Sequence, residues 1–241
     1  MISNRLSAWV SGILLLCLAL VPFYANWSEE PFLLTFFSRV LIFSLAALSL
    51  NLILGFAGLV SFGHALYMGL GAYSVGLLAF HGIDNGWLQL LITIVACAVV
   101  GAVTGFISLR TSGIAFIMIT LAFAQMFFYL VISMKQYGGD DGLSIASRSQ
   151  FGLFNLSSAT TLYYVAFAFV VAVLAWFNRL IQSPFGMVLS GCRMNERRMK
   201  ALGFQTTRYK LTAYVIACVL AGMTGLLYDN LTGYESPDYM A

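Results

Sequence analysis

A succession of apolar runs, most of them about as long as a bilayer is thick, sets the terms on which this chain can fold. They fall at about 8–25, 33–54, 65–80, 88–109, 114–134, 162–181 and 211–228. An α-helix rises 1.5 Å per residue, so about 20 residues cross the roughly 30 Å hydrocarbon core of a membrane. Within that core every backbone N–H and C=O must find its partner inside the span, which makes these runs helices. Only 9% of the 241 residues are charged, too few to cover a water-facing surface. The chain therefore reads as all-α, a polytopic helical membrane protein with about seven spans, folded as a single transmembrane domain over residues 1–241. A cut after Ala25 would put Phe23, not a small residue, three back from the bond, so the first run is expected to stay as an uncleaved span.

Charge sorts the connections into two sides. With the N-terminus inside and seven spans alternating, the inner side collects nine basic residues (Arg5, Arg110, and the seven between Arg179 and Lys210) against one acid, Glu196. The outer side receives Lys135 and Arg148 against eight acids. Basic residues concentrate on the cytoplasmic side of membrane proteins, so this topology places the N-terminus in the cytoplasm. The net charge of +3 is explained by that sidedness, and nucleic acid is not implied. Arg39, about two turns inside the second run, is expected to snorkel to the outer headgroups.

The longest polar-rich passage, Ser183 to Lys210, lies between the last two runs. Ser183 before Pro184 is an N-cap followed by proline at the first helical position, and Gly203 is placed to end the helix in the left-handed conformation. Arg193, Arg197 and Lys200 share one face; Cys192, Asn195, Met199 and Leu202 share the other. The spacing predicts a short two-faced surface helix, which could rest on anionic lipid or dock to a cytosolic protein.

A second passage, Asn51 to Gly76, carries too much glycine for an unbroken helix. Gly55, Gly58 and Gly63 surround Ser61 and His64, which predicts an interrupted segment between the second and third spans. Beyond it, Ala65, Gly69, Ala72 and Gly76 form a small-residue stripe along which another helix can approach closely. Ser61 and His64 are too poorly placed, with no carboxylate in reach, to make an intramembrane hydrolase a serious reading. Gly69-Leu-Gly71-Ala-Tyr-Ser74 lacks the third glycine and the preceding strand of a nucleotide loop. Four cysteines with no paired spacing indicate neither a zinc site nor a disulfide framework, and no cofactor is implied. Gln125, near the middle of the fifth span, needs a partner or lines a path.

The two passages together carry a resemblance. LNLILGFAGLVSFGHALYMGLGAYSVGLL closely resembles the signature block of LivM-type permease subunits of branched-chain amino acid ABC importers. SPFGMVLSGCR, then ALG, RYK and AGMTG, is similar to the cytoplasmic loop and next helix of the same family, in the same order. The resemblance implies a transporter subunit with no catalytic site of its own. It also implies as partners a second related permease, two cytosolic ABC ATPases that hydrolyse the ATP, and an extracytoplasmic substrate-binding protein. Residues 183–210 would then be the loop that bears the coupling helix, with Arg193, Asn195, Glu196, Ala201 and Gly203 at the family's motif positions and Arg197, Met199 and Leu202 beside them. The broken segment would offer backbone groups to a zwitterionic substrate, with Ser61, Phe62, His64 and Gln125 as pathway candidates. Urea or short amides are the rival substrate class, because permeases for them share these motifs. Family members usually continue through further spans after Ser236-Pro237, so the chain is expected to be truncated at its C-terminal end.

Overall fold

A computed structural model gives backbone positions for residues 2–27, 31–144, 148–151 and 158–240, with side-chain surroundings for 12–25, 32–143, 148–151 and 158–240. The side chains of Arg5, Glu29 and Glu30, counted in the charge asymmetry, lie outside the described residues. Eight α-helices make up most of what is described: α1 (Ile2–Trp27), α2 (Pro31–Asn51), α3 (Ala65–Phe80), α4 (Gly86–Ser108), α5 (Ile114–Ser133), α6 (Ala159–Gln182), α7 (Pro184–Ala201) and α8 (Thr206–Thr232). The chain is all-α apart from β1 (Leu143–Ser144), which pairs antiparallel with β2 (Tyr234–Glu235). Five of the helical segments are long and apolar enough to cross a membrane, and two shorter apolar helices, Gly12–Ala25 and Ala65–Phe80, accompany them.

α8 is the centre of the bundle, packed against α2, α3 and α4. Its sequence explains why: Ala213, Ala217, Ala221, Gly222 and Gly225 are all buried, so neighbouring backbones come close to its axis. Without a hydrophobic driving force between helices in lipid, such close contact is what holds spans together. A Cβ at Gly225 would overlap the Met68 carbonyl of α3, one at Gly71 would overlap the Gly222 carbonyl, and one at Gly101 of α4 would press on Cys218. The stripe of the third span is used differently from the expected single helix contact. Ala72 faces Gly225 of α8, whereas Gly69 and Gly76 receive Met240 and Glu235 from the segment after α8.

Proline inside α1 shows how a span keeps its backbone satisfied. Pro22 has no N–H to give the Leu18 carbonyl four residues earlier, and the Tyr163 hydroxyl of α6 donates to that carbonyl at 2.5 Å. Arg39 lies exposed on the outer surface of α2. One end of the bundle carries Arg110, Arg179 and all of α7; the other carries Asp84, Asp140, Asp141 and Asp238, with Tyr234 donating to the Asp141 carbonyl at 2.5 Å.

Candidate functional site

The helix break lies at the basic end. α2 runs on through a π-helical turn, Leu52–Ala57, which Gly58 ends in the left-handed region at φ 69°. The Gly58 and Leu59 N–H groups both return to the Ile53 carbonyl. Such turns leave a carbonyl out of register with the helix ladder, and here the Gly55 carbonyl accepts a hydrogen bond from the Arg193 guanidinium of α7. Glycine at 58 is needed twice over: its φ is unfavourable for other residues, and a Cβ there would lie 2.8 Å from the Arg193 Cγ. Gly63 then lets the chain pass against the Thr120 backbone of α5 before α3 begins.

Ser183 caps α7 as its sequence foretells, its hydroxyl accepting from the Gly186 N–H at 3.3 Å, with Pro184 at the first helical position. The expected continuous two-faced helix is not what forms. Asn195 is extended (φ −157°, ψ 97°) and divides α7 into two helical pieces, so the basic and semi-apolar faces do not run through. Its side chain accepts the Arg198 N–H at 3.0 Å and thereby caps the second piece. That cap was readable in Asn195-Glu196-Arg197-Arg198, a capping residue followed by an acid in the first turn. The periodicity of the flanking residues masked it.

Glu196 fixes the second piece to α8. It pairs with Lys200 at 2.8 Å and Lys210 at 2.5 Å, and accepts from the Thr206 hydroxyl at 3.1 Å. Partial burial pushes its carboxyl up, but hydrogen bonds from Lys200 and Lys210 outweigh that and hold it at about 2. Gly203 follows at φ 89°, with open space around it, so its need for glycine is purely conformational. Cys192 packs inward, Met199 lies over Gly191, and Ala201 closes the helix. Arg197 and Lys200 face a basic pocket. Met194 (88% exposed) and Leu202 (64%) instead project into solvent, an unusual place for apolar side chains on a helix outside the spans.

Above the break is a buried polar cluster joining four helices. His64 Nε2 lies 2.8 Å from the Ser49 hydroxyl of α2. That hydroxyl already donates to the Ala46 carbonyl, so His64 is the donor and the contact is a structural tie, not a nucleophile and its base. The Tyr67 hydroxyl meets Thr104 of α4 at 2.6 Å and Tyr214 of α8 at 3.1 Å. Of the pathway candidates, Ser61 is buried with its hydroxyl unpartnered among the described residues, and His64 lies in the cluster. Phe62 points outward, and Gln125, half-buried on α5, joins no hydrogen bond of the cluster. Tyr67, Thr104 and Tyr214 were not singled out from sequence. A buried hydroxyl on an apolar helix has no periodic signature; only the three-dimensional meeting reveals it. Among the described residues, no three His, Cys, Asp or Glu side chains gather as a metal site.

A helix at the basic end is thus tied by Arg193 to the break, whose far side is tied by His64 to Ser49 of α2. Comparison with known proteins gives it a setting. The family model described as "Branched-chain amino acid transport system / permease component" matches residues 32–241. The chain is 30% identical over 222 residues to the high-affinity branched-chain amino acid transport system permease protein LivM of Escherichia coli (strain K12), covering 82% of this chain and 52% of that one. It is 29% identical over 226 residues to the LivM protein of Salmonella typhimurium, covering 83% and 53%. To the LivH permease of Escherichia coli (strain K12) it is 22% identical over 211 residues, covering 81% and 68%. The chain thus spans about half the length of the LivM relatives. No solved structure matches.

Proposed function

The chain belongs to the branched-chain amino acid transport system permease family, and on that premise we propose that it is the membrane-spanning permease subunit of an ATP-driven importer for aliphatic amino acids. Substrate crosses by alternating access, driven by two cytosolic ATPase subunits and fed by an extracytoplasmic binding protein, with a related permease as the second half of the pathway. The N-terminus and α7 are cytoplasmic in this reading, which the charge asymmetry supports.

The single observation that carries the coupling role is the bond from Arg193 to the Gly55 carbonyl. A helix that merely rested on lipid would have no need to be fastened to the interrupted segment between α2 and α3. In this reading Met194 and Leu202 enter a groove on the ATPase, and the remaining residues of the loop (Asn195, Glu196, Arg197, Met199, Ala201, Gly203) hold the shape that presents them. Movement of α7 reaches the break through Arg193, and from there Ser61 and His64 at the inner end of the substrate path.

Docking is tested by replacing both exposed apolar residues, Met194→Asp with Leu202→Asp, in the assembled transporter. Membrane insertion is expected to be unchanged, while recovery of the ATPase with the permease falls at least tenfold. Unchanged recovery would show that α7 does not enter the ATPase.

A further inference from the structure

At the basic end, between α4, α5, α7 and α8, lies a pocket of about 490 Å³. Arg110, Arg197, Lys200 and Lys210 line it, with Glu196 the one acid. Glu196 is already paired with Lys200 and Lys210. Arg110 and Arg197 have no carboxylate partner among the described residues; the Arg110 guanidinium is stacked over the Phe106 ring at 4.5 Å, which orients it without neutralising it. The wall also draws on the starts of two helices, with Gly113, Phe116 and Ile117 from α5 and its N-cap and Thr207 and Lys210 from α8. Neither helix has a side-chain cap or an acid in its first turn. Positive side chains in excess, hydroxyls at Ser112 and Thr207, and two helix N-termini without side-chain caps converge on one concavity. That donor set suits a tetrahedral anion.

The surface beside the pocket points to the source of the anion. Arg110 of the wall lies over the Phe106 ring at the end of α4, and Gly113 of the wall is followed by Ile114 at the start of α5; Phe106 and Ile114 are both exposed and apolar, Ile114 75% exposed. A charged cavity walled by the connection between two helices long and apolar enough to cross a membrane suits a phospholipid, headgroup inward and acyl chains along those helices.

We propose that this pocket is a phosphate-binding site that takes the phosphodiester headgroup of an anionic phospholipid from the inner leaflet. The bound lipid braces the α4–α5 connection against the helix break, since Gly58 and Leu59 form part of the same wall. The inner-leaflet assignment rests on the orientation proposed above; the phosphate chemistry does not.

The test uses the whole permease in nanodiscs of phosphatidylcholine alone or with phosphatidylglycerol, read by native mass spectrometry and by thermal unfolding midpoint. Wild type is expected to retain one phosphatidylglycerol and to unfold at a higher temperature in its presence. Arg110→Gln should reduce that retention at least fivefold, whereas Arg208→Gln, at the same end but outside the pocket wall, should not. Arg110→Lys keeps the charge, should keep most of the retention, and preserves the test if the Gln variant does not fold. Inorganic phosphate added to phosphatidylcholine nanodiscs at matched ionic strength distinguishes the sources. Equal stabilisation by free phosphate, abolished by Arg110→Gln, would keep the anion site but overturn the lipid as its occupant. Equal retention by Arg110→Gln and Arg208→Gln, or stabilisation by chloride alone, would overturn the site. So would protection of the pocket only when the ATPase is present, which would make it part of a protein interface. Arg110 is outside the α7 surface proposed to dock, so ATPase recovery reports on that docking separately from lipid retention.

Discussion

The Glu235 carboxylate accepts the Gly76 N–H at 3.0 Å and occupies the space where any side chain on residue 76 would have to sit. A buried acid is thereby pressed onto the apolar helix α3, with Asp229 of α8 in hydrogen-bonding reach and Tyr73 of α3, Asp238 and Tyr239 nearby. Burial, then the neighbouring Asp229 charge, pushes the Glu235 carboxyl well up. The folded chain therefore holds a proton that the unfolded chain releases in the ordinary carboxylate range, so stability falls as pH rises above that range. Thermal unfolding in detergent across pH should show this decline, and Glu235→Gln should flatten it. An unchanged pH profile in the Gln variant would assign the decline to another group.

Helix packing makes a graded prediction. A Cβ at Gly71 would overlap the Gly222 backbone of α8, whereas at Gly69 it would meet chiefly the flexible Met240 side chain. Gly71→Ala is expected to destabilise by about 1–3 kcal/mol through overpacking, and Gly69→Ala by clearly less. Unfolding midpoints of the two variants in one detergent check the order; a reversed order would mean that α3 and α8 do not cross at Gly71 and Gly222.

Topology is tested by reporters. A fusion after Asp141 should read extracytoplasmic and one after Lys200 cytoplasmic, because nine of the chain's basic residues lie on the α7 side by this assignment. The opposite reading at either site would invert the bundle.

Much of this architecture was legible in the sequence because the bilayer imposes a simple code. Run lengths gave the helices, Ser183-Pro184 gave the start of α7, and the glycines from Gly55 to Gly63 gave the break. Interactions between segments far apart in sequence were not legible. That Arg193 would turn from a basic helix face toward the Gly55 carbonyl depends on where two elements meet across 138 residues of sequence separation. The kink at Asn195 was hidden because its neighbours fit helical periodicity while its own side chain competes for the backbone. The stripe of Ala65, Gly69, Ala72 and Gly76 announced close approach but not by what, since small residues admit a helix, a turn or a carboxylate alike.

The central claim is that α7 drives the helix break through Arg193, and the most direct measurement is ATP hydrolysis stimulated by loaded binding protein in the reconstituted transporter carrying Arg193→Ala. The side chain is engaged by the Gly55 carbonyl, while Met194 and Leu202 are the exposed apolar residues proposed to dock, so the ATPase subunits should still be recovered with the permease. Stimulation is expected to fall at least tenfold and substrate uptake with it, with Arg193→Lys restoring part of both by keeping a donor in reach of the carbonyl. Full stimulation and uptake in the Ala variant, with the complex intact, would contradict the account.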